Sequence, residues 1–295
     1  MTRADRRPKI VRRARKAFPS ASKKTRRRRL REEKSSGAPS IVPTHHAGSE
    51  SNSIWPITDA PREFWQVAAI CITACVSLFL LQFVATERMY ALFFPPDRGV
   101  LDTYWVLRVK AWWVAWALVS YLALPALVMI FSSGKRLRDC NLSWRGFQQH
   151  YWIYVGLYAA VFPVIWLVSL TPDFYSYYPM YAQAGRSWFD LLVWEGLYAG
   201  QFIALEFFFR GFLVGGLSRY IGIFAVPVSV MPYMMIHFAK PWPEAGASIV
   251  AGFVLGALAW KTKSIWGGVF VHCAVAITMD LLALSHKGQL PWLHS

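Results

Sequence analysis

Four polar side chains stand inside apolar segments of this 295-residue chain. They are Glu206 and Arg210, four residues apart, and His237 and His272 in two later segments. A charged group at membrane depth costs about 2.5–3.5 kcal/mol on insertion scales, so each one needs a reason to be there. An enclosed carboxylate is suited to general base catalysis, and an imidazole can give or take a proton near neutral pH. The pattern predicts one polar cavity, shared by three helices, in which a proton is moved.

Two other interpretations of these residues stay open. Glu206 and Arg210 also suit a structural ion pair between residues i and i+4, and a lone histidine in a helix often only completes a hydrogen bond. A zinc ion held by His237, His272 and Glu206 is the chemical alternative. The chain has neither an HExxH motif nor a CxxC pair, so we expect no cofactor and keep zinc as the alternative. Cys273 is a weaker nucleophile candidate, because it points about 100° away from the adjacent histidine on a helix.

The segments that carry these residues are apolar enough to cross a membrane. Apolar residues make up 55% of the chain and aromatic residues 16%, including 15 Trp. This composition excludes a disordered chain, a secreted disulfide scaffold and an ordinary cytosolic enzyme. We predict an all-α fold, a polytopic transmembrane helical bundle of about 7–8 spans. Seven apolar runs lie near 64–86, 112–131, 151–170, 188–217, 221–238, 245–260 and 265–284, and the aromatic segment 88–111 is an interfacial helix, an extension of the second span or an eighth span.

Residues 1–63 differ from the rest, because they have no apolar periodicity. Residues 1–50 carry 16 Lys and Arg residues against four acids. We predict a disordered basic N-terminal tail that the positive-inside rule keeps in the cytoplasm, which makes the chain an integral, multi-pass membrane protein. Contact with anionic lipid is a second role for the tail, whereas no nucleic acid is expected because no folded binding module accompanies it. The predicted parts are the tail 1–63, N-terminal transmembrane helices 64–187 and a core 188–285.

Three motifs in that core resemble those of the CPBP intramembrane proteases, which include CAAX-prenyl endopeptidases and bacteriocin-processing enzymes. The run from Glu206 to Arg210 is similar to the second half of the family's EExxxR motif. The run from Tyr233 to His237 is similar to FxxxH, with Tyr in place of Phe, and the run from His272 is similar to HxxxN/D. The resemblance covers roughly residues 188–285. It implies an intramembrane endopeptidase in the lipid bilayer, whose substrate is a membrane-anchored or propeptide-bearing protein.

The resemblance also implies roles for the four polar residues. Glu206 with His237 would activate a water molecule, and His272, with Arg210, would stabilise the oxyanion or orient the base. The family has been described both as glutamate-dependent and as metal-dependent, and the residues here leave that choice open.

Two positions depart from the family pattern. The first Glu of the EE pair is Leu205 here, and the Asn or Asp of the third motif is Ala276. Glu244 and Asp280 are auxiliary candidates that would compensate, although Asp280 lies about 80° round the helix and about 12 Å along it from the motif histidine. The departures favour an alternative, a catalytically inactive relative acting as a membrane scaffold or immunity-type protein. A transporter using the same charges is a third hypothesis, without an internal repeat to support it.

Overall fold

The structure is a computed structural model that describes residues 61–96, 102–131 and 137–291. Almost all of these residues are helical, and no strand occurs among them. The helices are α1 (Arg62–Phe79), α2 (Glu87–Phe93), α3 (Trp105–Ala117), α4 (Leu124–Phe131), α5 (Trp144–Val168), α6 (Pro172–Tyr177), α7 (Trp188–Glu206), α8 (Gly216–Ile221), α9 (Ala225–Met235), α10 (Trp242–Thr262) and α11 (Trp266–His286). Wider π-helical segments follow α1 (Leu80–Val84), α3 (Leu118–Ala123) and α7 (Phe207–Gly215).

Six continuous helical stretches of the described residues are long and apolar enough to cross a membrane. The longest, Trp188–Met235, has 48 residues and contains the fourth predicted run and the fifth as far as Met235. The two runs meet at a 3₁₀ turn where Gly222 has a φ of +57°. The other five stretches, Arg62–Val84, Trp105–Phe131, Trp144–Val168, Trp242–Thr262 and Trp266–His286, match the remaining runs. The prediction of an all-α polytopic bundle is confirmed.

The aromatic segment 88–111 is divided between two elements. Its first part lies in the short helix α2, and its last part begins α3, so it extends the second span rather than forming an eighth in the residues described. The predicted tail lies outside the described residues as far as residue 60, and α1 begins at Arg62, two residues before its predicted start.

The outer face of the bundle is apolar. Large side chains such as Phe131, Trp152 and Trp242 are each about 80% exposed, and many other Leu, Ile and Phe residues share that face. A surface of this kind is stable in hydrocarbon, where every backbone group is satisfied within a helix. The chain is therefore an integral, multi-pass membrane protein.

The π-helical segment Phe207–Gly215 is buried along its whole length and carries Arg210. Two of its carbonyl groups accept hydrogen bonds from outside the segment. The hydroxyl of Ser229 donates to the carbonyl of Phe209 at 3.0 Å, and the side-chain amide of Asn141 donates to the carbonyl of Arg210 at 2.8 Å. These bonds fix the segment to α9 and to the stretch before α5, which holds Arg210 in place.

Two adjacent glycines let α11 approach its neighbours closely. A Cβ at Gly267 would overlap the ring of Tyr154 in α5, and a Cβ at Gly268 would overlap the carboxylate of Glu206 at the end of α7. The glycine pair therefore brings His272, one turn further along α11, against the polar end of α7.

Candidate active site

A cavity of about 550 Å³ lies between the membrane-length helices. Most of its lining is apolar or aromatic, with contributions from α1, α3, α7, α9, α11 and the segments next to them. Its polar lining residues are Gln82, Tyr121, Tyr178, Tyr198, Gln201, His237, Lys240, Glu244 and His272. Both predicted histidines thus reach one cavity from different elements.

Glu206 does not lie on that cavity wall. Its side chain is fully buried, with one oxygen 3.4 Å from Nη1 of Arg210 and 3.0 Å from Nδ1 of His272. The structure therefore brings three of the four predicted residues together as a buried cluster. It does not place Glu206 beside His237, because the carboxylate is seated against Gly268 on the side of α7 that faces α11.

His272 reaches both the buried cluster and the cavity. Nδ1 is also 3.1 Å from the carbonyl of Gly268, and Nε2 is 2.8 Å from the hydroxyl of Tyr233. A carbonyl and a carboxylate can only accept, so Nδ1 carries the proton, and Nε2 of a neutral ring accepts the Tyr233 proton. Both ring nitrogens of His272 therefore already have partners.

His237 lies in the turn between α9 and α10, outside the membrane-length helices. Its Nδ1 donates to the carbonyl of Tyr233 at 2.7 Å, and its Nε2 has no bond to another described residue. Burial lowers the pKa of His237 to about 4, so the imidazole is neutral at physiological pH. His237 therefore offers the cavity an unoccupied basic nitrogen.

The two auxiliary acids lie in different places. Glu244 lines the cavity, pairs with Lys240 at 3.2 Å and accepts a hydrogen bond from the hydroxyl of Tyr178. Asp280 is fully buried away from the cavity wall and accepts the indole N–H of Trp194 at 2.6 Å. Of the two, only Glu244 is placed to meet a molecule in the cavity.

Both departures from the family pattern lie on the cavity wall. Leu205 and Ala276 are lining residues, 4% and 5% exposed. The wall therefore presents the isobutyl group of Leu205 where the resemblance implies a carboxylate. It presents the methyl group of Ala276 where the resemblance implies an amide or an acid.

Three lining or supporting residues were not named as site residues from the sequence. Gln201 lies one turn before Leu205 on the same face of α7, and its amide has no hydrogen bond to another described residue. The i, i+4 spacing from Leu205 was the available signal. Lys240 lines the cavity next to Glu244, and Tyr233 was visible only as the Tyr that stands in place of Phe in the second motif.

The three ligands of the zinc alternative, Glu206, His237 and His272, do not form one group in the part of the chain that the structure describes. No three His, Cys, Asp or Glu side chains within the described ranges form a group that could hold a metal ion. Cys273 is a free, partly buried thiol that does not line the cavity. The residues that could move a proton in the cavity are therefore described through their own side chains.

Comparison with protein families gives a match to part of the chain. Residues 186–278 match the model described as Rce1-like, type II CAAX prenyl endopeptidase Rce1-like. That range contains α7, the π-helical segment, α9 and the histidine of α11, and hence every predicted site residue except Asp280. Comparison with curated proteins and with solved structures found no match. The family match confirms, over residues 186–278, the resemblance of this chain to the CPBP intramembrane proteases.

Proposed function

We propose that this chain is an intramembrane endopeptidase that hydrolyses a peptide bond of a membrane-anchored or propeptide-bearing protein inside the cavity. One observation carries the proposal. His237 and His272, from two motifs of the matched segment, line the same cavity between helices long enough to cross a bilayer. A water-accessible basic group enclosed by apolar helices is what hydrolysis beside a bilayer requires.

His237 is the general base in this proposal. Its free Nε2 takes a proton from a water molecule, and the resulting hydroxide attacks the carbonyl carbon of the substrate. The same nitrogen then returns the proton to the amine that leaves. Glu206 has a supporting role instead, because its carboxylate is enclosed between Arg210 and His272 and does not reach the cavity.

The oxyanion needs hydrogen-bond donors on the wall of the cavity. The side-chain amide of Gln201 and the ammonium group of Lys240 both line it. Glu244 holds the ammonium group by an ion pair at 3.2 Å, and the carboxylate is itself fixed by Tyr178. Arg210 acts through Glu206 and through the ring of Tyr233, because its buried guanidinium group contacts both and does not line the cavity.

The substrate is a protein with an apolar stretch next to the cleaved bond. Lining residues such as Trp113, Phe202, Met235 and Met279 give the cavity apolar walls that favour aliphatic or aromatic groups. The family name refers to prenylated CAAX tails, and an isoprenoid chain is one apolar group of the kind that these walls accommodate. The bilayer is the route by which such a segment reaches the cavity.

The proposal is tested by comparing membrane proteins in cells that carry the wild-type chain, a deletion, His237→Gln or His150→Gln. His150 is the matched control, because its Nδ1 also bonds a carbonyl four residues earlier, at 2.9 Å, but the residue lies off the cavity. Intact masses should show a cleavage product that is present with the wild type and His150→Gln and absent with the deletion and His237→Gln.

The inactive scaffold predicts a different pattern. A product that disappears only in the deletion, and persists at normal chain levels in His237→Gln, would assign the chain a non-catalytic role. Leu205 and Ala276, both on the cavity wall, would then explain the loss of activity.

A further inference from the structure

Among the described residues, Tyr233 alone bonds both cavity histidines. Its backbone carbonyl accepts from Nδ1 of His237 at 2.7 Å, and its hydroxyl lies 2.8 Å from Nε2 of His272. The side chain is 2% exposed and does not line the cavity. Tyr233 therefore acts on the cavity only through the two imidazoles.

The two bonds give the imidazoles opposite roles. The carbonyl of Tyr233 fixes the proton of His237 on Nδ1, which leaves Nε2 free for a water molecule. The carbonyl of Gly268 fixes the proton of His272 on Nδ1 as well, and the carboxylate of Glu206 lies 3.0 Å from the same nitrogen. Nε2 of His272 is then the acceptor for the Tyr233 hydroxyl, so this nitrogen is already occupied.

The ring of Tyr233 is held firmly enough to maintain both bonds. The guanidinium carbon of Arg210 lies 4.1 Å from the ring centroid, and the ring of Phe209 packs edge-on at 5.1 Å. Arg210 is itself tied to Asn141 through its backbone carbonyl. The position of the hydroxyl is thus set by the π-helical segment and not by the cavity.

We propose that Tyr233 is a positioning residue that selects His237 as the base, by occupying Nε2 of His272 and leaving Nε2 of His237 free. The assignment of protons follows from the hydrogen-bond partners of the two rings in their neutral form. The part concerning catalysis rests on the proposed peptidase function.

The substitution Tyr233→Phe isolates the hydroxyl, because it keeps the ring, its contact with Arg210 and the backbone carbonyl. The matched control is Tyr154→Phe, in which another buried tyrosine loses a hydroxyl that lies 3.3 Å from the Thr262 hydroxyl. Thermal melting of both purified chains in detergent checks that each remains folded.

The first measurement does not depend on activity. The full chain is labelled with ¹⁵N-histidine, and the ring nitrogen signals of its seven histidines are recorded, with His272→Gln and His237→Gln used for assignment. Tyr233→Phe should shift the Nε2 signal of His272 and raise its modification rate by diethylpyrocarbonate several-fold. The His237 signals should stay unchanged, as should all signals of both histidines in Tyr154→Phe. An unshifted Nε2 signal with an unchanged modification rate of His272 would overturn the proposal.

The second measurement uses the product identified by the deletion comparison. Tyr233→Phe should lower kcat about tenfold with little change in KM, because the freed Nε2 of His272 would compete with His237 for the water and the hydroxyl does not touch the substrate. A wild-type kcat together with the shifted His272 signal would show that the hydroxyl sets the protons but does not select the base, which contradicts the proposal. If no product exists in any cell, the peptidase function fails, while the nitrogen signals still decide the proton assignment.

Discussion

The carboxylate of Glu206 lies 3.0 Å from Nδ1 of His272, and Glu206 itself does not line the cavity that His272 reaches. The carboxylate of Glu206 therefore contacts a histidine, and the ring nitrogen without a bond to another described residue belongs to His237. Carboxylate–imidazole contacts of this kind fix the orientation and the proton position of the ring. The separation between the enclosed Glu206 and the cavity-lining His237, and the helix packing that maintains it, lead to four predictions.

Glu206→Gln should destabilise the chain as well as inactivate it. The substitution leaves the buried guanidinium group of Arg210 without its counter-charge, which costs about 3–5 kcal/mol. Removing both charges in Glu206→Gln/Arg210→Gln should restore part of the lost stability without restoring cleavage. Thermal melting in detergent, alongside cleavage by the surviving folded protein, measures both effects. Equal melting temperatures for wild type and Glu206→Gln would show that the pair is not a buried ion pair.

The pH dependence of cleavage should report the low pKa of His237. Burial lowers that pKa to about 4, and only the neutral ring can accept a proton from water. The kcat/KM should therefore be constant from about pH 5 to 8 and fall as pH decreases through about 4. Reconstituted protein with the identified substrate allows this measurement, with refolding checks at each pH. A fall centred near pH 6.5 would indicate a base in an exposed environment instead.

Gly268→Ala should separate α11 from α7. The added methyl group would overlap the carboxylate of Glu206, which is fully buried and could move only by leaving its contacts with Arg210 and His272. We expect lower thermal stability and loss of cleavage. Gly196→Ala is the control in the same pair of helices, because its Cβ would meet nothing within 4 Å. The control should be neutral or stabilised by up to about 1 kcal/mol. Similar losses in both variants would contradict the close approach at Gly268.

Leu205→Glu should raise cleavage. The side chain at this position faces the cavity, so a carboxylate there would share the water with His237 and add a second acceptor for its proton. Leu205→Gln has nearly the same shape without the charge and serves as the control. We expect an increase of about tenfold in kcat for the glutamate variant relative to the glutamine variant. Equal rates for the two variants would show that no carboxylate is needed at this wall.

Much of this architecture could be predicted from the sequence. Hydropathy and length were sufficient for the seven runs, since a span needs about 20 apolar residues at 1.5 Å per residue. The i, i+4 spacing also predicted a contact between Glu206 and Arg210, and the structure has this contact. The orientation of the N-terminus stays a prediction, as do the catalytic roles of the four site residues.

The sequence did not indicate which residues face the cavity. Leu205 and Glu206 are neighbours about 100° apart on α7, so only one can line the wall, and the motif alone does not say which. The bond between Tyr233 and His272 joins residues 39 apart on different helices. Such a contact depends on helix packing, here on the approach permitted by Gly267 and Gly268, and no local pattern encodes it.

The π-helical segment Phe207–Gly215 makes the site sensitive to the loss of a single residue during evolution. A turn closed by i→i+5 bonds contains one residue more than an α-helical turn, so the segment rotates α7 relative to everything that follows. A homologue that lost one codon between positions 211 and 215 would keep the sequences of all three motifs unchanged. The lost residue would nevertheless turn Arg210 and Glu206 away from α11. The resulting chains would keep the three motifs in their sequences but lack the site.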